Sequence, residues 1–246
     1  MKFIDNFSET HLLFSEPIDC VFYGDENQTI LLASFQIKLP TIRDMYFNSN
    51  VMFVLTLLKY TIKDLNEQMK LSTPAQSHLD LFIQLSQLSA ITPSLVNSIY
   101  KIREGLKILC PELTLTDNNI LIKNRVIDDC IFERMRHIWL ISIDAKAFSK
   151  TYQYMSPEQR VMEEKIQYIK NKNKNKNNKS EDGFEKIYMI LTYEFHYTRN
   201  EILEMTMYAV KTILKYTSKS INYKLTLIAK ANGNTKKVKF ITDKGD

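Results

Sequence analysis

The 246-residue chain is 44% hydrophobic and 25% charged. That is enough apolar material for one large domain, or a domain with a small module, and it excludes a disordered protein. Its 33 basic and 28 acidic residues leave a net charge of +5, yet without Lys170, Lys172, Lys174, Lys176 and Lys179 the two kinds are equal in number, which argues against a surface basic throughout.

No run of about 18 uncharged apolar residues is present. The first residues, MKFIDNFSETHLLF, carry acidic groups and no small-residue cleavage site. Neither a membrane span nor a signal peptide is expected, and the expected compartment is the cytoplasm. Cys20, Cys110 and Cys130 are odd in number and far apart, which argues for reduced core thiols rather than a disulfide framework or a paired-thiolate metal site.

Residues 18 to 39 hold two β-rich runs around GDEN, a cluster that favours a tight turn, so a hairpin is expected. Pro40 and Thr41 close it. In VMFVLTLLKYTIKDLNEQMK the apolar positions 51, 54, 55, 58, 62, 65 and 69 recur at three and four residues, the pattern of one amphipathic helix. Thr73-Pro74 opens a second helix to about Ala90 and Thr92-Pro93 a third to about Leu109, each pair a capping hydroxyl followed by proline in the first turn. Pro111 ends the third.

Short alternating runs around Asp117-Asn118-Asn119 predict a second hairpin over 112 to 124. A helix follows from Val126 to Phe148, with Ile127, Ile131, Met135 and Ile138 along one side and Trp139 near that stripe as a core residue. Ser156-Pro157 with Glu158 and Gln159 starts a further helix, expected to pack against a flanking module. It runs into IKNKNKNKNNKSEDG, residues 169 to 183, where lysine repels lysine and asparagine is a poor helix former, so the tract is read as a hydrated tether rather than a phosphate-binding arm.

Beyond the tether, Phe184, Ile187, Tyr188 and Leu191 share one face, and Thr198-Arg199-Asn200-Glu201 has capping-box form, which predicts two helices joined by a turn over 184 to 217. Residues 221 to 231 fit a strand leading to Asn-Gly or a helix stopped by Gly233, and the pattern does not decide between them. The fold class is mainly α with minor β hairpins. The expected organisation is a bundle-like helical domain over 1–155, a helix and linker over 156–183, and a small helical module over 184–246.

Catalytic chemistry leaves little local trace. Five glycines form no phosphate-binding turn, and His11, His78, His137 and His196 have no partner at metal-ligand spacing, so no cofactor and no metal are expected. Asp128, Asp129 and Glu133 are read as helix-start carboxylates favoured by the macrodipole, and Arg134 and Arg136 as their intrahelical partners. The helical hairpin 184–217, with Arg199 and Asn200 at a helix start, allows a nucleic-acid-binding regulator that also uses the Lys/Asn tract. Glu201 and Glu204 oppose phosphates there, which makes nucleic acid the lesser expectation.

LTYEFHYTRNEILEMTMYAVKTILKY, residues 191 to 216, resembles the tail-assembly chaperones and related baseplate-assembly proteins of long-tailed bacteriophages: an aromatic turn precedes a helix bearing Glu201, Ile202, Met205 and Thr206. SFQIKLPTIRDMYF and LTLTDNNILIKNRVIDDCIFERMRHI look like parts of such proteins as well. The resemblance implies a non-enzymatic, mainly helical protein of the host cytoplasm that binds the tape-measure protein or another tail or baseplate component and shields its apolar surface before assembly. It implies no membrane partner and leaves self-association and retention in the particle open. A chaperone of helical clients needs adaptable apolar surface, and Tyr193, Phe195, Tyr197, Glu201, Ile202, Met205, Thr206, Met207 and Tyr208 are the expected partner-binding residues.

Overall fold

The first hairpin acquires a third strand in the computed structural model, which describes residues 1–69, 71, 73–143 and 183–231. Strands β1 (Lys2–Asp5), β2 (Ile18–Tyr23) and β3 (Leu31–Ile37) form an antiparallel sheet in that order. Alternation turns Ile18, Cys20 and Phe22 inward, and the pairings Phe3↔Phe22 and Asp5↔Cys20 put Phe3 and Asp5 on the same face. Phe22 and Phe35 sit there with ring centroids 5.0 Å apart. The GDEN turn is held by Asp25, whose carboxylate accepts from the Thr29 and Ile30 N–H groups and the Thr29 hydroxyl.

Helix α1 (Glu9–Phe14) links β1 to β2, and α2 (Ile42–Phe47) follows the sheet behind a reciprocal cap between Thr41 and Asp44. The single helix expected over 51 to 69 is two helices, α3 (Ser49–Lys59) and α4 (Ile62–Met69). Between them Tyr60 is extended, with ψ 154°, and its carbonyl accepts from His78 Nε2 instead of from the next turn. Thr61 then receives the Asp64 N–H and restarts the helix.

Helix α5 (His78–Ser89) begins later than Thr73-Pro74 suggests, because Ser77 supplies the cap by accepting from Asp80 N–H. Helix α6 (Pro93–Leu109) starts on its proline after Thr92, although the Thr92 side chain makes no capping bond. The second hairpin is also three-stranded: β4 (Leu113–Leu115), β5 (Ile120–Ile122) and β6 (Arg125–Val126). Val126 pairs with Leu121, so α7 (Asp129–Ile143) begins three residues after the expected start. The rest of that expected helix, the helix opened by Ser156-Pro157 and the tract lie outside the described residues.

One large core joins the first sheet, α3, α5, α6, the second sheet and α7. Trp139 is fully buried in it, edge-on to Phe132, with its indole N–H donating to the Lys38 carbonyl at 3.2 Å. At Gly105 the backbones of α3 and α6 come so close that a β-carbon would stand 2.5 Å from the Asn50 carbonyl oxygen.

The described residues of the C-terminal side hold three helices rather than two: α8 (Gly183–Phe195), α9 (Arg199–Glu204) and α10 (Met207–Ala231). The ambiguous stretch 221 to 231 is helix. Leu191, Ile202, Leu203 and Val210 from these helices form a smaller core around Ile42 of α2. The protein is thus mainly α with two small antiparallel sheets, and no described helix is long and apolar enough to cross a membrane.

Candidate partner-binding surface

Helix α8 ends where His196 adopts φ 59°, a left-handed residue whose N–H donates to Thr192, while Tyr197 N–H donates to Leu191. The reversal stacks Phe195 on Tyr197, centroids 6.3 Å apart, and packs both against the smaller core. Thr198 then caps α9. Its N–H and hydroxyl donate to the Glu201 carboxylate at 2.8 and 2.7 Å, and these donors, the hydroxyl foremost, hold the Glu201 carboxyl below its ordinary value.

At Met205 the helical ladder stops, because the chain there is claimed by α1 and α2. The Met205 carbonyl accepts from Ile42 N–H at 2.8 Å, and Thr206 bridges to Thr41. Thr206 N–H donates to the Ser15 hydroxyl at 3.0 Å, and its own hydroxyl donates to the Leu12 carbonyl while accepting from Ala209 N–H. One threonine therefore closes the joint and caps α10. Outside it, Arg43 pairs with Glu204 at 2.8 Å, and the Tyr208 hydroxyl donates to Glu9, a bond that raises the phenol above its ordinary value.

The expected partner-binding residues consequently divide. Ile202, Thr206 and Met207 are turned inward, at 0, 0 and 6% exposure; Ile202 belongs to the smaller core and Thr206 to the joint. Glu201 is exposed but committed to its cap, and Phe195, Tyr197, Met205 and Tyr208 are half-buried. Tyr193 alone of the nine is a large, exposed apolar side chain, at 68%, with Met189 one turn earlier at 50%.

Sequence reasoning missed the outer half of α10. Tyr216, Ile221, Tyr223, Leu227 and Ile228 are 46 to 66% exposed. Lys215, Lys219 and Lys224 are exposed beside them. Two seven-residue repeats, Tyr216 to Tyr223 and Ile221 to Ile228, were the available signal, but they carry meaning only once the stretch is known to be helical.

The polar side chains singled out on and just before α7 are tied into the fold. Asp128 accepts from Ile131 N–H and Asp129 from the Ser77 hydroxyl, while Glu133 lies between His78 and Arg136. The bidentate pair of Arg134 with Asp5, at 2.8 and 3.0 Å, joins α7 to β1. Burial pushes the Cys20 thiol up and the Cys110 thiol up to about 12, so both stay protonated, whereas Cys130 is exposed. Comparison of the chain with protein-family models, with curated proteins and with solved structures finds no match.

Proposed function

We propose that the chain is a non-enzymatic assembly factor of a bacteriophage tail or baseplate, acting in the host cytoplasm by holding a tail protein such as the tape-measure protein. The observation that carries this reading is the large apolar side chains left in water on each of α8 and α10: Met189 and Tyr193 on one, Tyr216, Tyr223 and Leu227 on the other. Clustered exposed apolar groups are a signature of protein contact surfaces, because covering them releases more free energy than leaving them hydrated. Tyrosine adds area at low cost in side-chain entropy and keeps a polar tip for water or a partner. The joint at Thr206 sets α10 on the main body and the smaller core packs α8 around Ile42, so client contact would be presented from a fixed base.

Co-expression with each of the neighbouring tail genes tests the reading. A stoichiometric complex with a tail protein is the expected result. Retention of none of them, with binding of unrelated proteins instead, contradicts it. A second reading, a nucleic-acid-binding regulator, draws on the lysines of α10 and of residues 170 to 179. Deleting that tract and measuring salt-dependent duplex binding separates the two, since phosphate contacts weaken steeply with salt.

A further inference from the structure

Tyr208, Val210, Ile213 and Leu214 of α10 belong to the two cores; from Lys215 to Ala231 its described side chains join neither. At 1.5 Å per residue this half is about 25 Å long. A helix of that length standing in water is only marginally stable, so the segment is suited to being covered.

The arrangement of its side chains restricts what covers it. Tyr216, Tyr223 and Leu227 form one apolar stripe; Ile221 and Ile228, seven residues apart, form another. Lys224 falls between them, roughly 60–100° around the helix from the first and 40–60° from the second. Lys215 and Lys219 flank the tyrosine stripe on its outer side, with Lys219 Nζ 5.9 Å from the centre of the Tyr216 ring. The helix has five lysines and neither aspartate nor glutamate.

A helix lying on a lipid surface carries one unbroken apolar arc with cations at its edges, and here Lys224 would be pressed toward the acyl chains. A duplex would satisfy the lysines and leave the five apolar side chains in water. A second copy of the helix would set lysine against lysine.

We propose that the outer half of α10 docks into an apolar groove of another protein, gripped along both stripes, with an Asp or Glu of that partner opposite Lys224. This rests on the reading of the chain as a protein-binding assembly factor and specifies the partner: an acidic, groove-forming helical surface. A cation between two apolar stripes rewards only a partner that offers a carboxylate at that depth, so it selects the partner as well as holding it.

The test titrates the full chain with a synthetic amphipathic helical peptide carrying leucine on its apolar face and glutamate beside it, and with the same peptide carrying lysine for glutamate. The acidic peptide is expected to bind, the lysine peptide at least about tenfold more weakly, and Lys224→Glu to weaken the acidic peptide by about tenfold at unchanged helix content, with Lys224→Gln intermediate. Equal binding of the two peptides, binding of neither, or indifference to Lys224→Glu overturns the proposal. So does stronger binding to phosphatidylcholine vesicles containing phosphatidylglycerol, or a dimer that Lys224→Glu abolishes. A tail protein retained regardless of Lys224 removes this surface and leaves the assembly reading standing; an acidic peptide bound while no tail protein is retained does the reverse.

Discussion

His78 Nδ1 lies 2.9 Å from Glu133 Oε1, while Nε2 of the same ring lies 3.0 Å from the Tyr60 carbonyl oxygen. Both partners are acceptors, one a carboxylate and one a carbonyl, and the ring stands between them. The ring is 4% exposed and ties the end of α3, the start of α5 and the first turns of α7 together. Burial pushes the Glu133 carboxyl up, but the His78 hydrogen bond and the Arg136 charge outweigh it and hold the group below its ordinary value.

Replacing the ring removes its contacts with the Tyr60 carbonyl and with Glu133, which keeps Arg136, at the point where the first long helix is broken. His78→Leu is expected to cost about 2–3 kcal/mol, measured as a shift in urea midpoint. A midpoint unchanged from that of the parent would contradict the role of the ring as a tie between the three helices.

Acid should destabilise the fold in two stages. Burial, then Arg134 and Arg136, push the His137 imidazole below its ordinary 6.5, with Asp5 opposing. The unfolded chain therefore takes up a proton first, and stability declines as pH falls below about 6.5. At lower pH comes Asp5, which burial pushes up but the Arg134 hydrogen bonds and charge hold below 3.8; its contribution is complete above the ordinary carboxylate range and lost as pH falls through the folded-state value. Urea unfolding between pH 7 and 3 should show both slopes, with His137→Gln removing the first and Asp5→Asn flattening the second.

Gly105→Ala tests the crossing of α3 and α6. Elsewhere in a helix the change stabilises, but here the new methyl would meet Asn50 O at 2.5 Å and Val54 Cγ2 at 2.7 Å. A loss of about 2–3 kcal/mol is expected, and a thermal midpoint at or above that of the parent would show that the helices separate more easily than their packing implies.

The local signals in the sequence were read correctly where the structure is local. The hairpin over 18 to 39, the start of α6 at Pro93 and the Thr198–Glu201 cap each depend on residues within a few positions of one another. The breaks were invisible for the opposite reason. The apolar period runs unbroken through Tyr60 and through Met205, and what interrupts it is a ring 18 residues away in the first case and the backbone of α1 and α2 in the second. Strand β1 exists because β2 lies beside it, since KFID alone has no recognisable strand pattern. For the same reason the aromatic and methionine residues near 205 looked like an open patch: nothing in their spacing says that Leu12, Ser15 and Ile42 lie against them.

Thr206 is the residue on which the placement of α10 depends. Thr206→Val keeps the volume and removes the bonds to Leu12 and Ala209, with an expected cost of about 1–2 kcal/mol. Hydrogen exchange should locate the loss in the first turns of α10 and in α1, and a uniform loss over the whole chain would contradict the role of the joint.

Exchange of the amides of residues 215 to 231, in the free chain and in its complex with a co-purified tail protein, measures the central claim. In the free chain these amides should exchange fast relative to those of α3 and α7, and in the complex they should slow by about tenfold or more, with Lys224→Glu restoring fast exchange. Exchange that is equally slow in both states, or equally fast in both, would mean that this helix is not where the chain meets its partner.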